Sequence, residues 1–160
     1  MKIKQAATPT EIQAVRKLFR EYEAFLDVDL CFQGFETELA GLPGKYAPPG
    51  GDLLIAKHQG LVAGCVGVRF LGIGVCEMKR LYVRPRARGA GLGRQLAHAI
   101  IESARQLGYC TMRLDTLEKL TAALGLYKAL GFTPTSPYYA NPLEGVVYLE
   151  LTLDQALKRF

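Results

Sequence analysis

The chain has 160 residues, of which 49% are hydrophobic and 22% charged, and it carries a formal net charge of +5. This length supports one domain with a substantial core, so we expect residues 1–160 to form a single domain. No apolar run approaches the ~20 residues of a membrane-spanning helix, and residues 1–5 lack the apolar region of a signal peptide. We therefore expect a cytoplasmic protein without a membrane partner.

The N-terminal quarter predicts one strand and two helices. A short strand covers residues 3–6. Thr8, Pro9 and Glu11 then fit the N-cap, the first helical position and the capping box of a helix, and apolar residues at helical period continue it to Leu26. The pattern weakens afterwards, and a second, short helix is expected near residues 36–40.

The rest of the chain predicts an antiparallel meander, followed by alternating helices and strands. The expected strands cover residues 53–57, 61–70, 75–83 and 109–115, one that begins at Phe132, and 146–151; the expected helices cover 92–107 and 120–130. This order predicts an α/β fold with a mixed, mostly antiparallel sheet of about six to seven strands flanked by about four helices. A doubly wound nucleotide-binding fold lacks such a meander.

A glycine-rich run with arginines lies between the fourth predicted strand and the helix that follows it. It contains an R-x-x-G-x-G core from Arg88 to Gly93, and no Asp or Glu occurs between Lys79 and Ile101. The N–H groups at a helix start lack intrahelical partners and favour an anion. We therefore expect a diphosphate site with a positive surround, and the alternative is a glycine-rich turn without a ligand.

Other phosphate and metal motifs do not fit. The chain has no G-x-x-x-x-G-K-[ST] run, and its glycines lack the spacing and the position of a dinucleotide fingerprint. Four cysteines without C-x-x-C spacing predict reduced, buried side chains rather than a zinc site. His58 lies in a predicted turn and His98 lies off the apolar stripe of its helix, so we expect no bound metal.

Two motifs together resemble a known family. The R-x-x-G-x-G core follows a Leu-Tyr-Val strand end and precedes, by ~35 residues, the run Leu126–Phe132, which reads L-Y-x-x-x-G-F. With these motifs the chain resembles a bacterial-type member of the GNAT superfamily of acyl-CoA-dependent N-acetyltransferases over nearly its full length. The resemblance implies a GNAT-like sheet, acetyl-CoA as the acyl donor and no metal.

The resemblance also implies where the donor binds. The backbone N–H groups of the loop would hold the diphosphate of coenzyme A, and the end of the fourth strand would pair with the pantetheine arm. A bulge in that strand would direct the N–H of Leu81 at the thioester oxygen, where negative charge develops. The implied cofactor-binding residues are Leu81, Tyr82, Val83, Arg88, Gly89, Ala90, Gly91, Leu92, Gly93 and Arg94.

The implied catalytic residues are Tyr127 and Glu77. Tyr127 would protonate the departing thiolate, or else pack in the core and hydrogen-bond the sulfur. Glu77 would take a proton from the attacking amine, or else be a surface residue paired with a neighbouring cation. Many relatives carry an Asn that contacts the cofactor seven residues before the tyrosine. Leu120 stands there, so this contact is expected to be either missing or replaced by Thr116 or Thr121.

The acceptor is the least specified partner. Relatives build this pocket from the first two helices and the last strand pair, which makes Tyr22, Phe35, Tyr138 and Tyr139 candidate substrate-binding residues. Arg69 is a further candidate because it is a charge in the otherwise apolar strand 61–70. Arg69 would bind an acceptor carboxylate, or else reach solvent from a strand edge. The acceptor is expected to be a small amine, an amino acid or a peptide, and the resemblance leaves a homodimer open.

Two other functions remain as alternatives to the N-acetyltransferase. One is a non-catalytic acyl-CoA-binding or regulatory module, although both Glu77 and Tyr127 are present. The other is a nucleic-acid-binding domain, which the net charge allows. The basic residues concentrate around the glycine loop rather than along a helix face with aromatics, which argues against nucleic acid as the main partner.

Overall fold

The chain folds around a seven-stranded sheet in a computed structural model that describes residues 1–153. The strands are β1 (Lys2–Gln5), β2 (Asp52–His58), β3 (Leu61–Gly72), β4 (Val75–Val83), β5 (Thr111–Leu117), β6 (Thr133–Pro134) and β7 (Val146–Thr152). The helices are α1 (Pro9–Leu26), α2 (Phe35–Ala40), α3 (Leu92–Gln106) and α4 (Thr121–Ala129), with 3-10 turns at Cys31–Gln33, Gly44–Tyr46 and Pro85–Ala87.

The strand order across the sheet is β1-β2-β3-β4-β5-β7-β6. Strands β4 and β5 pair in parallel, and the other neighbours pair antiparallel. The predicted fold class and the order of the elements are therefore confirmed. The largest differences are at the end of the chain, where β6 is only two residues long and β5 begins two residues later than predicted.

Helices cover both faces of the sheet. Alternate residues of β2 show this, because side chains along a strand point to opposite faces. Leu54 and Ala56 pack into the core beneath α3, whereas Leu53 and Ile55 pack into the core beneath α1 and α2. The sheet is therefore the middle layer of three, and its edges and strand ends are where a ligand can approach.

Helix α1 begins with the predicted capping box. The Thr8 hydroxyl accepts from the N–H of Glu11 at 3.2 Å, and the Glu11 carboxylate accepts from the N–H of Thr8 at 3.0 Å. Phe19 is fully buried against the sheet. This anchoring carries Tyr22 and Phe25, in the last turns of α1, to the wall of a cavity beside β4.

Strand β4 contains a β-bulge. Lys79 pairs with Gly67 of β3, and Tyr82 pairs with Cys65. Two residues of β4, Arg80 and Leu81, therefore lie opposite a single residue of β3. Arg80 accordingly has a φ of +63°. The extra residue reverses the alternation of side chains, and both Lys79 and Arg80 point to the α1–α2 face, where they bind Gln33.

Strands β4 and β5 separate after a short stretch of pairing. Their ladder joins residues 75–77 to residues 111–113, although β4 continues to Val83 and β5 to Leu117. The two strands therefore diverge at their carboxyl ends and leave an opening in the middle of the sheet. Parallel strands present ligands at this end in other open sheets.

The cysteine prediction is half right. Cys65 and Cys76 are buried, but Cys31 and Cys110 are exposed, so the expectation of burial is wrong for these two. Cys31 begins a surface 3-10 turn and Cys110 precedes β5, where no helix covers it. All four are free thiols. Within residues 1–153, no helix has the length and apolar character needed to cross a membrane.

Candidate active site

A cavity of about 280 Å³ fills the opening between β4 and β5. Residues 78–81 of β4 and residues 114–117 of β5 form two of its walls, and the end of α1 and the first turns of α4 form the others. Its volume is at the lower end of the range for small-molecule sites. Polar groups from several elements converge on it, which is the arrangement expected of a reaction site.

The glycine loop next to β4 has the geometry of an anion site. Gly89 and Gly91 have φ angles of +87° and +78°, and a Cβ on either would meet nothing within 4 Å. The first helical bond of α3 runs from the N–H of Gln95 to the carbonyl of Gly91, so the N–H groups of residues 92–94 have no intrahelical acceptor. With no acidic residue in the first turn, this helix start fits a phosphate.

Arg88 lies differently from the loop residues that follow it. Its backbone N–H donates to the carbonyl of Pro85 at 3.2 Å and its Nε donates to the carbonyl of Val83 at 2.9 Å. Its guanidinium lies 4.6 Å from the centre of the Phe25 ring. The N–H of Arg88 is therefore already used within the protein, and a donor arm that pairs with Val83 competes with Arg88 for that carbonyl.

Tyr127 lines the cavity from α4. The residue is 7% exposed, and its ring packs edge-on against Phe132 with 5.6 Å between centroids. Burial raises the pKa of Tyr127 above its ordinary value, so the phenol is protonated at neutral pH and can donate a hydrogen bond. Both alternatives for this residue, proton donor or core residue that hydrogen-bonds a sulfur, use the same hydroxyl.

The N-terminus of α4 lacks the side-chain cap that an asparagine would provide. Leu120 occupies the N-cap position and makes no side-chain cap hydrogen bond. Thr116 and Thr121 both line the cavity. The expectation that one of them replaces the missing donor contact stays a prediction.

Glu77 belongs to a second cavity, of about 230 Å³. The residue is 1% exposed. Arg69 Nε and Nη2 each lie 3.0 Å from its Oε1, and the Tyr138 hydroxyl donates to its Oε2 at 2.7 Å. The alternative of a surface glutamate is therefore wrong. Arg69 pairs with Glu77 across β3 and β4, and 23% of the Arg69 side chain still reaches solvent.

Two buried cations lie between the two cavities. Arg80 donates to both carboxylate oxygens of Glu38, at 2.8 and 3.1 Å, and to Gln33 Oε1 at 2.9 Å. Lys79 donates to the same Gln33 oxygen at 3.0 Å. Burial, and next the charge of Arg80, lower the pKa of Lys79 to about 8. Lys79 and Gln33 line both cavities.

Asp115 faces the first cavity from β5. Its Oδ2 accepts from the hydroxyl of Tyr139 and from Asn141 Nδ2, the latter at 3.2 Å. These contacts fix the turn that precedes β7 against the cavity rim. The sequence analysis did not nominate Asp115 or Lys79 for the acceptor site; the signal of both was a charge within a predicted strand.

The structure separates the sequence-predicted acceptor residues. Tyr22 lines the first cavity, with burial raising its pKa to about 12. Arg69, Tyr138 and Tyr139 line the second. Phe35 is 1% exposed in the core, below the guanidinium of Arg80, and lies on neither cavity wall because α2 packs it onto the sheet.

Known proteins share this fold and these motifs. Residues 12–132 match the model of the acetyltransferase (GNAT) family. An N-acetyltransferase of Schizosaccharomyces pombe is 46% identical over 149 residues, which is 92% of this chain and 91% of the relative. An acetyltransferase from Streptococcus agalactiae superposes with a TM-score of 0.79 at 22% identity, covering 95% of this chain and 98% of that one.

A third neighbour was solved with its donor. A GNAT family acetyltransferase from Elizabethkingia anophelis with acetyl-CoA bound has a TM-score of 0.56 at 24% identity and covers 65% of this chain and 77% of that one. The family match and the 46% identical relative define the acyl-CoA-dependent acetyltransferases as the class of protein. The chain belongs to the GNAT family.

Proposed function

We propose that this protein transfers an acetyl group from acetyl-CoA to a primary amine of a small molecule, an amino acid or a peptide, with both substrates bound together. We propose one acetyltransferase domain over residues 1–160. The observation that carries the proposal is the opening between β4 and β5. It joins the anion-binding start of α3 to a cavity that holds a protonated phenol, Tyr127, and charged groups from both strands.

Acetyl-CoA supplies the acyl group as an activated thioester. Residues 89–94 would hold its diphosphate through open backbone N–H groups and positive φ at Gly89 and Gly91. The backbone of Leu81, Tyr82 and Val83 would pair with the pantetheine arm. The bulge supports the role of Leu81, because an irregular ladder leaves an N–H in β4 free to point at the thioester oxygen.

The transfer forms a bond between the amine nitrogen and the acyl carbon and breaks the bond between that carbon and sulfur. The Leu81 N–H would donate to the acyl oxygen while charge develops there. The Tyr127 hydroxyl would donate to the departing sulfur, which leaves as the thiol. The end of α1 and the start of α4 form walls beside the reacting atoms.

The attacking amine must also lose a proton. Glu77 is one candidate base; Arg69 neutralises it, so its route to the amine runs through the Tyr138 hydroxyl or through water. Asp115 is the second candidate because it lines the same cavity as Tyr127. The two candidates lie on different strands and can be separated by substitution.

The donor site is tested by thermal unfolding with and without acetyl-CoA. At 100 times its dissociation constant, the ligand should stabilise the protein by about 2.7 kcal/mol. Gly91→Ala should lose this shift. Gly74→Ala is the matched control, because Gly74 has a φ of +74° and equally open surroundings but lies in the β3–β4 turn, at the opposite end of β4 from the loop. No shift in the wild type at millimolar acetyl-CoA would refute the proposal.

The chemistry is tested by turnover. Tyr127→Phe removes one hydroxyl and keeps the ring that packs on Phe132. We expect kcat to fall by about 10²- to 10⁴-fold, with the affinity for acetyl-CoA nearly unchanged. Thiol release in the presence of an amine panel measures kcat, and the thermal shift measures donor binding. An unchanged kcat would remove Tyr127 from the mechanism.

A further inference from the structure

The ammonium of Lys79 is buried beside the candidate active site without a carboxylate partner. The residue is 5% exposed, and the hydrogen bond that Nζ makes within residues 1–153 goes to Gln33 Oε1 at 3.0 Å. No carboxylate in that part of the chain lies within ion-pair distance of Nζ. An ammonium has three N–H donors, and an unpaired buried charge is costly.

The neighbouring cations differ from Lys79 because their charges are already neutralised. Arg69 is paired with Glu77, and Arg80 is paired through two hydrogen bonds with Glu38. The amide oxygen that Lys79 contacts is neutral and is shared with Arg80. Lys79 is therefore the buried cation among these three whose charge remains available to a ligand.

The position of Lys79 follows from the bulge in β4. A regular strand would turn either Lys79 or Arg80 to the opposite face, whereas the bulge turns both toward Gln33. Lys79 thereby lines both cavities at the point where they adjoin. It also lies two residues before Leu81.

Asp115 provides the opposite charge in the same cavity. Its carboxylate attracts the Lys79 ammonium electrostatically, although the two groups are not in ion-pair contact. Oδ2 of Asp115 takes the hydrogen bonds from Tyr139 and Asn141. A cavity whose walls carry an ammonium and a carboxylate that do not touch complements a ligand carrying both charges.

We propose that the acceptor carries a carboxylate of its own, and that the Lys79 ammonium binds this carboxylate where the two cavities meet, while Asp115 faces the acceptor amine. This inference rests on the proposed function and narrows its acceptor to amino acids with a free carboxylate. The sequence suggested that Arg69 binds the acceptor carboxylate. Lys79 takes this role instead, because the Arg69 guanidinium is already paired with the carboxylate of Glu77.

The test compares acceptors that differ only in that carboxylate. Thiol release from acetyl-CoA is measured for the common L-α-amino acids and for the matching α-carboxamides, with the full-length protein. We expect kcat/KM to be at least 10-fold higher for the acids in the wild type, chiefly through KM. Lys79→Met should abolish this preference and keep the thermal shift with acetyl-CoA, whereas Lys79→Arg should retain part of the preference.

Lys119→Met is the matched control. Lys119 also lines the first cavity, but it is exposed and its Nζ donates to the carbonyl of Leu26 at 2.8 Å. This variant should keep the preference for acids. Should Lys79→Met fail to fold, Lys79→Gln removes the same charge and supplies the same comparison.

The outcomes distinguish a failure of the role proposed for Lys79 from a failure of the proposed acetyltransferase function. Equal use of acids and amides, a preference for peptide amines, or a preference that persists in the neutral Lys79 variants would overturn the role of Lys79 and leave the acetyltransferase intact. Failure to transfer to any amine while acetyl-CoA still binds would overturn the proposed function and this inference together.

Discussion

Replacing Lys79 by methionine should stabilise the free protein at neutral pH. Burial first, and then the positive charge of Arg80, lower the pKa of Lys79 from 10.5 to about 8; Arg69 adds to this effect, and Glu77 and Asp115 oppose it. At 1.36 kcal/mol for each pKa unit, the folded protein disfavours the charged form by about 3 kcal/mol. Methionine has a similar length and no charge, so the variant avoids this cost.

The gain should depend on pH in a defined way. Because the pKa of Lys79 is lower in the folded state, the unfolded chain binds more protons between about pH 8 and pH 10.5. The buried charge of Lys79 therefore destabilises the folded protein by its full amount below pH 8, and this destabilisation disappears as the pH rises through this window. We expect Lys79→Met to gain about 3 kcal/mol at pH 7 and nearly nothing at pH 10.5.

Urea denaturation at the two pH values measures this difference. The midpoint should rise in the variant at pH 7 with an unchanged slope, which shows that stability rather than compactness has changed. Lys119→Met, which removes an exposed lysine, should stay within about 0.5 kcal/mol of the wild type. A variant that is less stable at pH 7, or equally stabilised at both pH values, would refute the argument from a buried, unpaired charge.

Three further predictions concern the base, the buried ion pair and the sheet. Of Glu77→Gln and Asp115→Asn, the one that removes the base should lower kcat by about 10²- to 10⁴-fold, and equal small effects in both would exclude either as the base. Glu38→Gln leaves the Arg80 guanidinium without its carboxylate and should cost about 3–5 kcal/mol in chemical denaturation, unlike an exposed pair. Gly67→Ala would put a methyl group 2.7 Å from a buried aromatic ring and should cost about 1–3 kcal/mol; a neutral result would show that the ring can move.

The elements that were predicted correctly from the sequence depend on neighbouring residues. The capping box of α1 needs only Thr8, Pro9 and Glu11, and the loop before α3 needs glycines where φ is positive, as at Gly89 and Gly91. Such signals involve residues only a few positions apart in the sequence. The antiparallel meander of β2, β3 and β4 followed in turn, because short turns leave consecutive strands few arrangements.

The site was less predictable because its pairs form across strands. Glu77 meets Arg69 through the register of β3 and β4, and no local pattern reveals that register. Phe35 fits an aromatic acceptor pocket by composition, but its helix packs it into the core. From the sequence, Lys79 was counted only among the basic residues around the loop, because strict alternation places it and Arg80 on opposite faces of the strand. The bulge that brings both side chains to one face depends on pairing with β3.

The bulge in β4 also lets the strand carry one extra residue without changing the face of any other residue. Before Arg80 the odd-numbered residues face α1, and after Leu81 the even-numbered ones do, as the burial of Met78 beneath α3 and of Tyr82 beneath α1 shows. Deleting Arg80 would restore a regular ladder in which Lys79, Leu81 and Tyr82 keep their present faces. The bulge therefore gives the strand one additional cation on the α1–α2 face, and neither core has to accept a different side chain to accommodate it.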